Sequence, residues 1–210
     1  MEENMKEGVL PDTAELTRLV LIEIEESVRV KEGLKGQTEM ILKIAQAMIE
    51  TLRRGGRIYF FGNGGSAADA QHLSAELVGQ FQSVRAGLPA MALTVNTSVL
   101  TAVGNDFDFQ EIFARQVEAL VTGRDLVIGI STGGYNEVKG KFSKNVVRGI
   151  EEARKKGAKT VCLLGKGGGL LAKIADLPLV VASHNTQRIQ EAHITIGHIL
   201  CGLVDKGMNG

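Results

Sequence analysis

Short apolar runs alternate with amphipathic stretches along most of this chain. From about residue 57 onward, the apolar runs lie at 57–61, 89–93, 125–130, 159–164 and 178–181. They show little polar alternation, which is typical of strands buried on both faces of a sheet. Stretches with helical spacing lie between them, at 67–79, 97–103, 109–121, 143–156, about 168–174 and 186–205. Strands separated by helices predict right-handed crossovers and a parallel sheet.

Two more helices are predicted ahead of this alternation. The first begins at Asp12, which forms a capping-box pattern with Glu15, and ends near Gly33. The second covers about 37–54 and is closed by a pair of glycines. The apolar surface of the first helix is wider than one stripe and consists of Leu16, Leu19, Val20, Leu21, Ile22, Ile24 and Val28. We therefore expect this helix to pack against another subunit.

The predicted fold class is α/β. We expect a doubly wound, three-layer sandwich around a mainly parallel five-stranded sheet, with an N-terminal helical pair. The length suits a single domain over 1–210. Within it, residues 1–56 would form the helical pair used in oligomerisation and residues 57–210 the α/β core.

Composition narrows the classes of partner. Lys and Arg together number 24, as do Asp and Glu, so the formal charge is zero. This balance argues against a broad nucleic-acid or anionic-membrane surface. Cys162 and Cys201 have no CxxC or metal-ligand spacing and are expected to be buried and reduced. No basic leader and no apolar run of about 18 residues is present, so we expect a cytoplasmic protein.

The sequence FFGNGGS at residues 60–66 predicts a strand that opens into a glycine-rich binding loop. Gly62, Gly64 and Ala67 match the dinucleotide pattern G-x-G-x-x-A, which alone is a weak signal. Dinucleotide sites also place an acidic residue at the end of the next strand, and here that strand ends in Leu-Thr-Val-Asn. We therefore expect no nucleotide cofactor.

A second loop of this kind, STGG at 131–134, also follows an apolar run. Helix N-termini bind anions through free backbone N–H groups, and Ser143 is a predicted N-cap of the next helix. Hydroxyl-rich loops without a GK[ST] sequence favour a sugar phosphate or similar monoester over a P-loop nucleotide. The simpler interpretation, that these serines only cap helices and turns, remains open on these features.

Helical spacing also gathers acid/base side chains. His72 and Glu76 are four residues apart and share one face of their helix. Gln190 and His198 are eight residues apart and share a face of the last helix. If the two helices meet, these side chains form an acid/base pair or a site for a divalent metal. A surface ion pair and a core histidine are the alternatives.

Four blocks of the sequence resemble one known family, in the same order. They are GNGGSAADAQHLSAEL, NTSVLTAVGNDFDFQEIFARQVEAL, GRDLVIGIST and RIQEAHITIGHILCGLVD. Over nearly the whole chain they resemble the phosphoheptose isomerases (sedoheptulose 7-phosphate isomerases) of the sugar isomerase, or SIS, domain superfamily. The resemblance implies a flavodoxin-like SIS fold and a homotetramer whose active sites draw on adjacent subunits.

The resemblance also implies a role for each matching residue. Glu76 and His198 would be the catalytic acid/base pair. Zinc would be bound by His72, Glu76, Gln190 and His198. Substrate would contact Asn63, Gly64, Gly65, Ser66, Asn105, Asp106, Ser131, Thr132, Gly133, Ser143 and Gln190. Within this set, Ser131, Thr132 and Ser143 would hold the phosphate, whereas Asn105 and Asp106, which could equally be ordinary helix caps, would touch the sugar.

The implied reaction converts the ketose sedoheptulose 7-phosphate into the aldose D-glycero-D-manno-heptose 7-phosphate through an enediol(ate). It would be the first step of nucleotide-heptose synthesis for bacterial lipopolysaccharide. We assign Glu76 as base and His198 as acid, and the reverse is open. The alternative is a non-catalytic SIS protein that senses phosphosugars or binds a replication initiator. Retention of His72, Glu76, Gln190 and His198 favours the enzyme.

The sequence departs from the family pattern at three places. The phosphate loop has glycine at its third position, and about seven extra residues precede Ser143. We therefore expect the segment 135–142 to be mobile or to act as a lid. Gln187 stands where relatives often have aspartate, and Asn96 stands where many have aspartate.

Overall fold

A computed structural model describes residues 12–135 and 143–209. Its helices are α1 (Thr13–Gly33), α2 (Thr38–Arg53), α3 (Gly65–Val78), α4 (Thr97–Asp106), α5 (Ala114–Leu120), α6 (Lys144–Lys155), α7 (Gly169–Ile174) and α8 (Thr186–Met208). Its strands are β1 (Ile58–Gly62), β2 (Ala90–Ala92), β3 (Leu126–Ser131), β4 (Lys159–Leu164) and β5 (Leu177–Val180). Short 3₁₀ turns occupy Leu34–Gln37 and Phe109–Glu111. The insertion expected at 135–142 lies outside the described residues, apart from Tyr135.

The five strands form one parallel sheet in the order β2-β1-β3-β4-β5. This confirms the predicted α/β fold, and each predicted apolar run is a strand. The strand order reverses direction between β1 and β3, which are neighbours in the sheet. In open parallel sheets, ligands bind outside the carboxyl ends of the strands at such a switch point. The loops that follow β1 and β3 therefore lie side by side there.

Helices cover both faces of the sheet because the side chains of β1 and β3 alternate between two apolar cores. Phe60 and Ile128 belong to the core beneath α2, α3 and α8. Phe61 and Val127 belong to the core beneath α5 and α6. Both β1 and β3 are buried along their whole length, which explains why their sequences lack polar alternation.

The N-terminal helix differs from the prediction at its start. Asp12 occupies the N-cap of α1, but its side chain accepts no capping hydrogen bond, so the expected capping box is not formed. None of the residues of α1 is buried within the chain, and the wide apolar face is exposed, with Val20 58% accessible. Arg188 of α8 donates to the backbone carbonyl of Glu23 and pairs with its carboxylate. No described helix is both long enough and apolar enough to cross a membrane.

A buried ion pair joins the far ends of α3 and α8. Arg85, in the segment between α3 and β2, places its Nε 2.5 Å from Oδ1 of Asp205 on α8, and both side chains are almost fully buried. The same guanidinium donates to the carbonyls of Glu76 and Leu77 at the C-terminal end of α3. It therefore satisfies carbonyls that a helix end leaves without partners.

Asp205 is fully engaged as an acceptor in this arrangement. Its Oδ2 accepts from the backbone N–H groups of Gln82 and Ser83 and from the Ser83 hydroxyl. Burial alone raises the pKa of Asp205, but the bonds from Arg85, Gln82 and Ser83 outweigh it, so the pKa lies below its ordinary value. The carboxylate is therefore the form that the fold stabilises.

We expect Asp205→Asn to lower the free energy of unfolding by about 3 kcal/mol, because it leaves the buried Arg85 charge uncompensated. Denaturant unfolding at neutral pH measures this. The exposed carboxylate Glu118 offers a matched control, and Glu118→Gln should change stability by less than about 0.5 kcal/mol.

The pH dependence of the free energy of unfolding tests the role of Asp205 in a second way. A carboxyl group whose pKa is depressed by folding stabilises the protein above its unfolded pKa, and this contribution is lost as pH falls through the folded pKa. The stability gap between the wild type and Asp205→Asn should therefore narrow below about pH 4. A gap that is absent at neutral pH would contradict the role given to the pair.

Candidate active site

The loop after β1 brings backbone and amide groups to the switch point. Gly64 has φ +55°, a left-handed conformation that favours glycine, and α3 begins at the next residue. Ser66 is buried in the first turn of that helix. Asn63 and Asn145 of α6 exchange two side-chain hydrogen bonds of 2.8 Å each. This reciprocal amide pair ties the loop after β1 to the helix that follows β3.

The loop after β3 is organised around two hydroxyl groups. Ser131 Oγ and Ser143 Oγ are 2.8 Å apart, and Ser131 Oγ also accepts from the backbone N–H of Gly134 at 3.2 Å. Ser143 occupies the N-cap of α6, as predicted, but in a left-handed conformation and without a side-chain bond to the helix. Its hydroxyl is directed to Ser131 instead of to the α6 amides.

Gly134 lies at the contact between the loop after β3 and the loop after β4. It has φ +62°, and a Cβ at this position would overlap the backbone carbonyl of Gly168. The carbonyls of Gly134 and Tyr135 accept hydrogen bonds from the backbone N–H groups of Leu171 and Leu170 at 3.2 and 3.0 Å. The loop after β3 and the loop after β4 are thus in direct backbone contact.

These loops enclose a crevice of about 650 Å³. Its described lining residues are Asn63, Ser66, Ile130, Ser131, Thr132, Gly133, Tyr135, Ser143, Lys166, His184, Thr186 and Gln190. They are mostly hydroxyl and amide groups, and no carboxylate is among them. A crevice of this size and lining suits a small, polar, anionic ligand.

A cluster of acid/base side chains lies where α3 and α8 face each other, further along both helices from the crevice. His72 Nε2 is 2.8 Å from His198 Nε2 and 3.1 Å from Glu76 Oε1. One ligand atom from each of the three residues lies within 4.8 Å of the others. Phe81 stacks on the His198 ring with a centroid distance of 5.6 Å and an interplanar angle of 15°. Two imidazoles and a carboxylate at this spacing can exchange protons or bind a divalent metal.

Glycines allow α3 and α8 to approach closely enough to form the cluster. A Cβ at Gly65 of α3 would overlap the side-chain amide of Gln190, and a Cβ at Gly197 of α8 would overlap Leu73. Gln190 therefore lies at the crevice, against the start of α3. His198 is eight residues beyond it, about 12 Å along the helix.

The structure separates most of the predicted site residues into three places. Gly64 and Gly65, at the start of α3, are not among the lining residues of the crevice. The crevice is lined by Asn63, Ser66, Ser131, Thr132, Gly133, Ser143 and Gln190. The second place is the cluster of His72, Glu76 and His198. Asn105 and Asp106 lie elsewhere: they are exposed at the end of α4, are bonded to each other at 2.8 Å, and are not among the lining residues of the crevice.

Two groups near these places, the half-buried Asp69 and the buried His193, have shifted pKa values. Burial raises the pKa of Asp69 on α3 to about 6, against the opposing effect of a charged His72, and Oδ2 of Asp69 has no hydrogen-bond partner. Burial lowers the pKa of His193 to about 4, although its ring nitrogen contacts the Leu164 carbonyl at 3.1 Å. His193 is therefore a neutral core residue at physiological pH.

Sequence reasoning missed several residues of the crevice. Tyr135, Lys166, His184 and Thr186 lie in loops or at the first residue of a helix, where no periodicity marks them. For Lys166, the signal was the glycine-rich stretch GKGGG that follows β4. A glycine-rich loop after a parallel strand is a third instance of the pattern that identified the first two.

Comparison with known proteins agrees with this fold and site. A family model for the SIS domain matches residues 24–165. The chain is 50% identical over 191 residues to a phosphoheptose isomerase from Roseiflexus sp., covering 90% of this chain and 93% of that protein. Solved phosphoheptose isomerases from Neisseria gonorrhoeae and Francisella tularensis superimpose with TM-scores of 0.83 and 0.85, at 37% and 35% identity. They cover 91% and 90% of this chain, which in turn covers 99% and 98% of theirs.

We expect Gly134→Ala to destabilise the protein by at least about 2 kcal/mol, since alanine there combines a left-handed backbone with a clash against backbone atoms. Gly133 is the matched control in the same loop, because a Cβ there meets nothing within 4 Å and its φ is not positive. Gly133→Ala should change the free energy of unfolding by less than about 0.5 kcal/mol. Equal effects of the two substitutions in thermal or denaturant unfolding would disprove this account of the loop.

Proposed function

The chain belongs to the SIS domain family, and we infer that it catalyses the phosphoheptose isomerase reaction through Glu76 and His198. The enzyme converts sedoheptulose 7-phosphate into D-glycero-D-manno-heptose 7-phosphate, an aldose–ketose isomerisation. The observation that carries the residue assignment is the cluster of His72, Glu76 and His198, which lies about two helical turns from the hydroxyl-lined crevice. In this sugar, the carbons that exchange protons and the phosphate are at opposite ends. A site with separate acid/base and anion-binding regions suits such a substrate.

The proposed chemistry needs one base and one acid. The Glu76 carboxylate removes a proton from C1 of the ketose, which gives an enediol(ate). His198 returns a proton to C2, and the hydroxyl protons on the two neighbouring oxygens are exchanged with the same pair of groups. The reverse assignment of base and acid has the same overall balance. Phe81, stacked on the His198 ring, holds the imidazole plane in one orientation during the transfer.

The remaining crevice residues are assigned to binding. Ser131, Thr132 and Ser143 supply hydroxyl groups, and the α6 N-terminus supplies backbone N–H groups, for the phosphate. Asn63 and Gln190 line the crevice, and their amide groups would donate hydrogen bonds to sugar hydroxyls and accept hydrogen bonds from them. The reciprocal bonds between Asn63 and Asn145 keep the Asn63 amide in position before substrate arrives.

The cluster has the donor chemistry of a zinc site. Two imidazole nitrogens and one carboxylate oxygen are typical zinc ligands, and His72, Glu76 and His198 present them within 4.8 Å of one another. Gln190, the fourth ligand implied by the family resemblance, has its side-chain amide against Gly65 at the crevice. A zinc ion bound there would polarise the sugar carbonyl. Metal analysis of protein purified without chelator, with activity assayed before and after chelation, tests this part of the proposal.

We further propose a homotetramer in which neighbouring subunits complete each other's sites. The exposed apolar face of α1 supports this, since such a surface is typical of a subunit contact. Asn105 and Asp106 are then free to reach the crevice of an adjacent subunit, because they lie outside their own. Light scattering gives the molar mass in solution, and the molar mass of a monomer would contradict this assembly. The proposal keeps the cytoplasmic location expected from the sequence.

The non-catalytic alternative is not favoured. A phosphosugar sensor needs the crevice but has no use for an acid/base cluster, and this chain has both. The Roseiflexus protein described above, at 50% identity, is named as an isomerase.

We expect Glu76→Gln and His198→Asn each to lower kcat by at least about 100-fold, because each removes a group that transfers a proton. Conversion of sedoheptulose 7-phosphate, and exchange of its C1 proton with solvent, measure the effect. Both variants should retain the circular dichroism spectrum and molar mass of the wild type. Glu118→Gln, an exposed carboxylate outside the site, should be fully active. Near-normal turnover by either site variant would overturn its assignment.

A further inference from the structure

We propose that Lys166 supplies the positive charge that holds the phosphate of the substrate, an inference that rests on the proposed sugar-phosphate function. A phosphate monoester carries a charge near −2 at neutral pH. Ser131, Thr132 and Ser143 are neutral groups. Among the described lining residues, Lys166 is the only lysine or arginine, and none is acidic. Lys166 is therefore the one side chain of this described lining whose basic group suits an anionic ligand.

Within the described residues, the ammonium group of Lys166 is held by a neutral hydroxyl and not by a carboxylate. Its Nζ donates to the hydroxyl of Thr186 at 2.7 Å. None of the ion pairs within the described ranges involves Lys166. A neutral hydroxyl orients the charge but leaves it available, whereas a carboxylate partner would compete with an anionic ligand. This is the arrangement expected of a binding lysine and not of a structural ion pair.

The backbone at Lys166 supports the same conclusion. Its φ is +50°, a left-handed conformation that is uncommon for residues other than glycine. Non-glycine residues persist there only where the surroundings enforce it, and such positions concentrate at ligand sites. Here the enforcing contacts are the hydrogen bond from the Lys166 N–H to the Ser183 carbonyl at 3.1 Å and the close packing of Gly165 against Ile189.

The loop that carries Lys166 is also fastened to the phosphate loop. Gly168, two residues after the lysine, packs so closely against Gly134 that a Cβ on Gly134 would overlap its backbone. Backbone N–H groups of Leu170 and Leu171 donate to Tyr135 and Gly134. The position of the lysine relative to the serine hydroxyls is therefore set by backbone contacts, which makes the charge part of a pre-formed site.

The test compares Lys166→Met, which keeps the length but removes the charge, with Lys166→Arg. Lys173, an exposed lysine on α7 outside the crevice, is the matched control as Lys173→Met. Two quantities are measured for each: kcat and KM for sedoheptulose 7-phosphate, and the dissociation constant of inorganic phosphate from phosphorus NMR line broadening. Thermal unfolding checks that each variant is folded, and Lys166→Gln replaces Lys166→Met should the latter not fold.

We expect Lys166→Met to raise KM and the phosphate dissociation constant by about 10-fold each, with kcat within about twofold, because uniform binding of the phosphate is lost. Lys166→Arg should restore most of the binding, and Lys173→Met should behave as the wild type. Unchanged phosphate binding in Lys166→Met would overturn the proposal, as would a loss confined to kcat. If the wild type fails to turn over the sugar, the isomerase function fails, while the phosphate measurement still decides the role of Lys166.

Discussion

The close approach of α3 and α8 is the constraint on which the site depends. Gly65 and Gly197 stand where the two helices touch, and a side chain at either position would push them apart. One contact aligns Gln190 with the start of α3, and the other seats Leu73 against α8. Next to the second contact, His72 and His198 come within hydrogen-bond distance. Helix spacing therefore determines whether the acid/base cluster exists.

The buried pair of Arg85 and Asp205 completes that arrangement from the other end. Asp205 lies beyond the cluster on α8 and Arg85 lies beyond the end of α3, and the Arg85 guanidinium binds carbonyls of the last turn of α3, including that of Glu76. The segment that carries Arg85 also delivers Phe81 to the His198 ring. A buried ion pair contributes little net stability relative to apolar packing, but it has strict geometry. Here that geometry sets the register between α3 and α8, the two helices that carry His72, Glu76 and His198.

The sequence predicts what is periodic and misses what is brought together by tertiary structure. The strands, the helices and the loop at 62–66 follow from local patterns, and the structure confirms the fold. His72 with Glu76 could be paired because both lie on one helix. Arg85 and Asp205 are 120 residues apart, and nothing local to either residue marks the contact. The hydroxyl of Ser143 illustrates the same limit, because its N-cap position is local whereas its partner Ser131 is set by the loop.

The two halves of the site are built from different kinds of structure for a physical reason. An anion is bound best by backbone N–H groups and hydroxyls at helix N-termini, which are available only where strands end and helices begin. Proton transfer instead requires side chains fixed within a fraction of an ångström, which helix interiors provide better than loops. Because α3 begins at the loop after β1 and continues past Glu76, one helix joins the loop at the crevice to the acid/base cluster. The length of α3 between Ser66 and Glu76 then sets the distance between the crevice and the cluster of His72, Glu76 and His198.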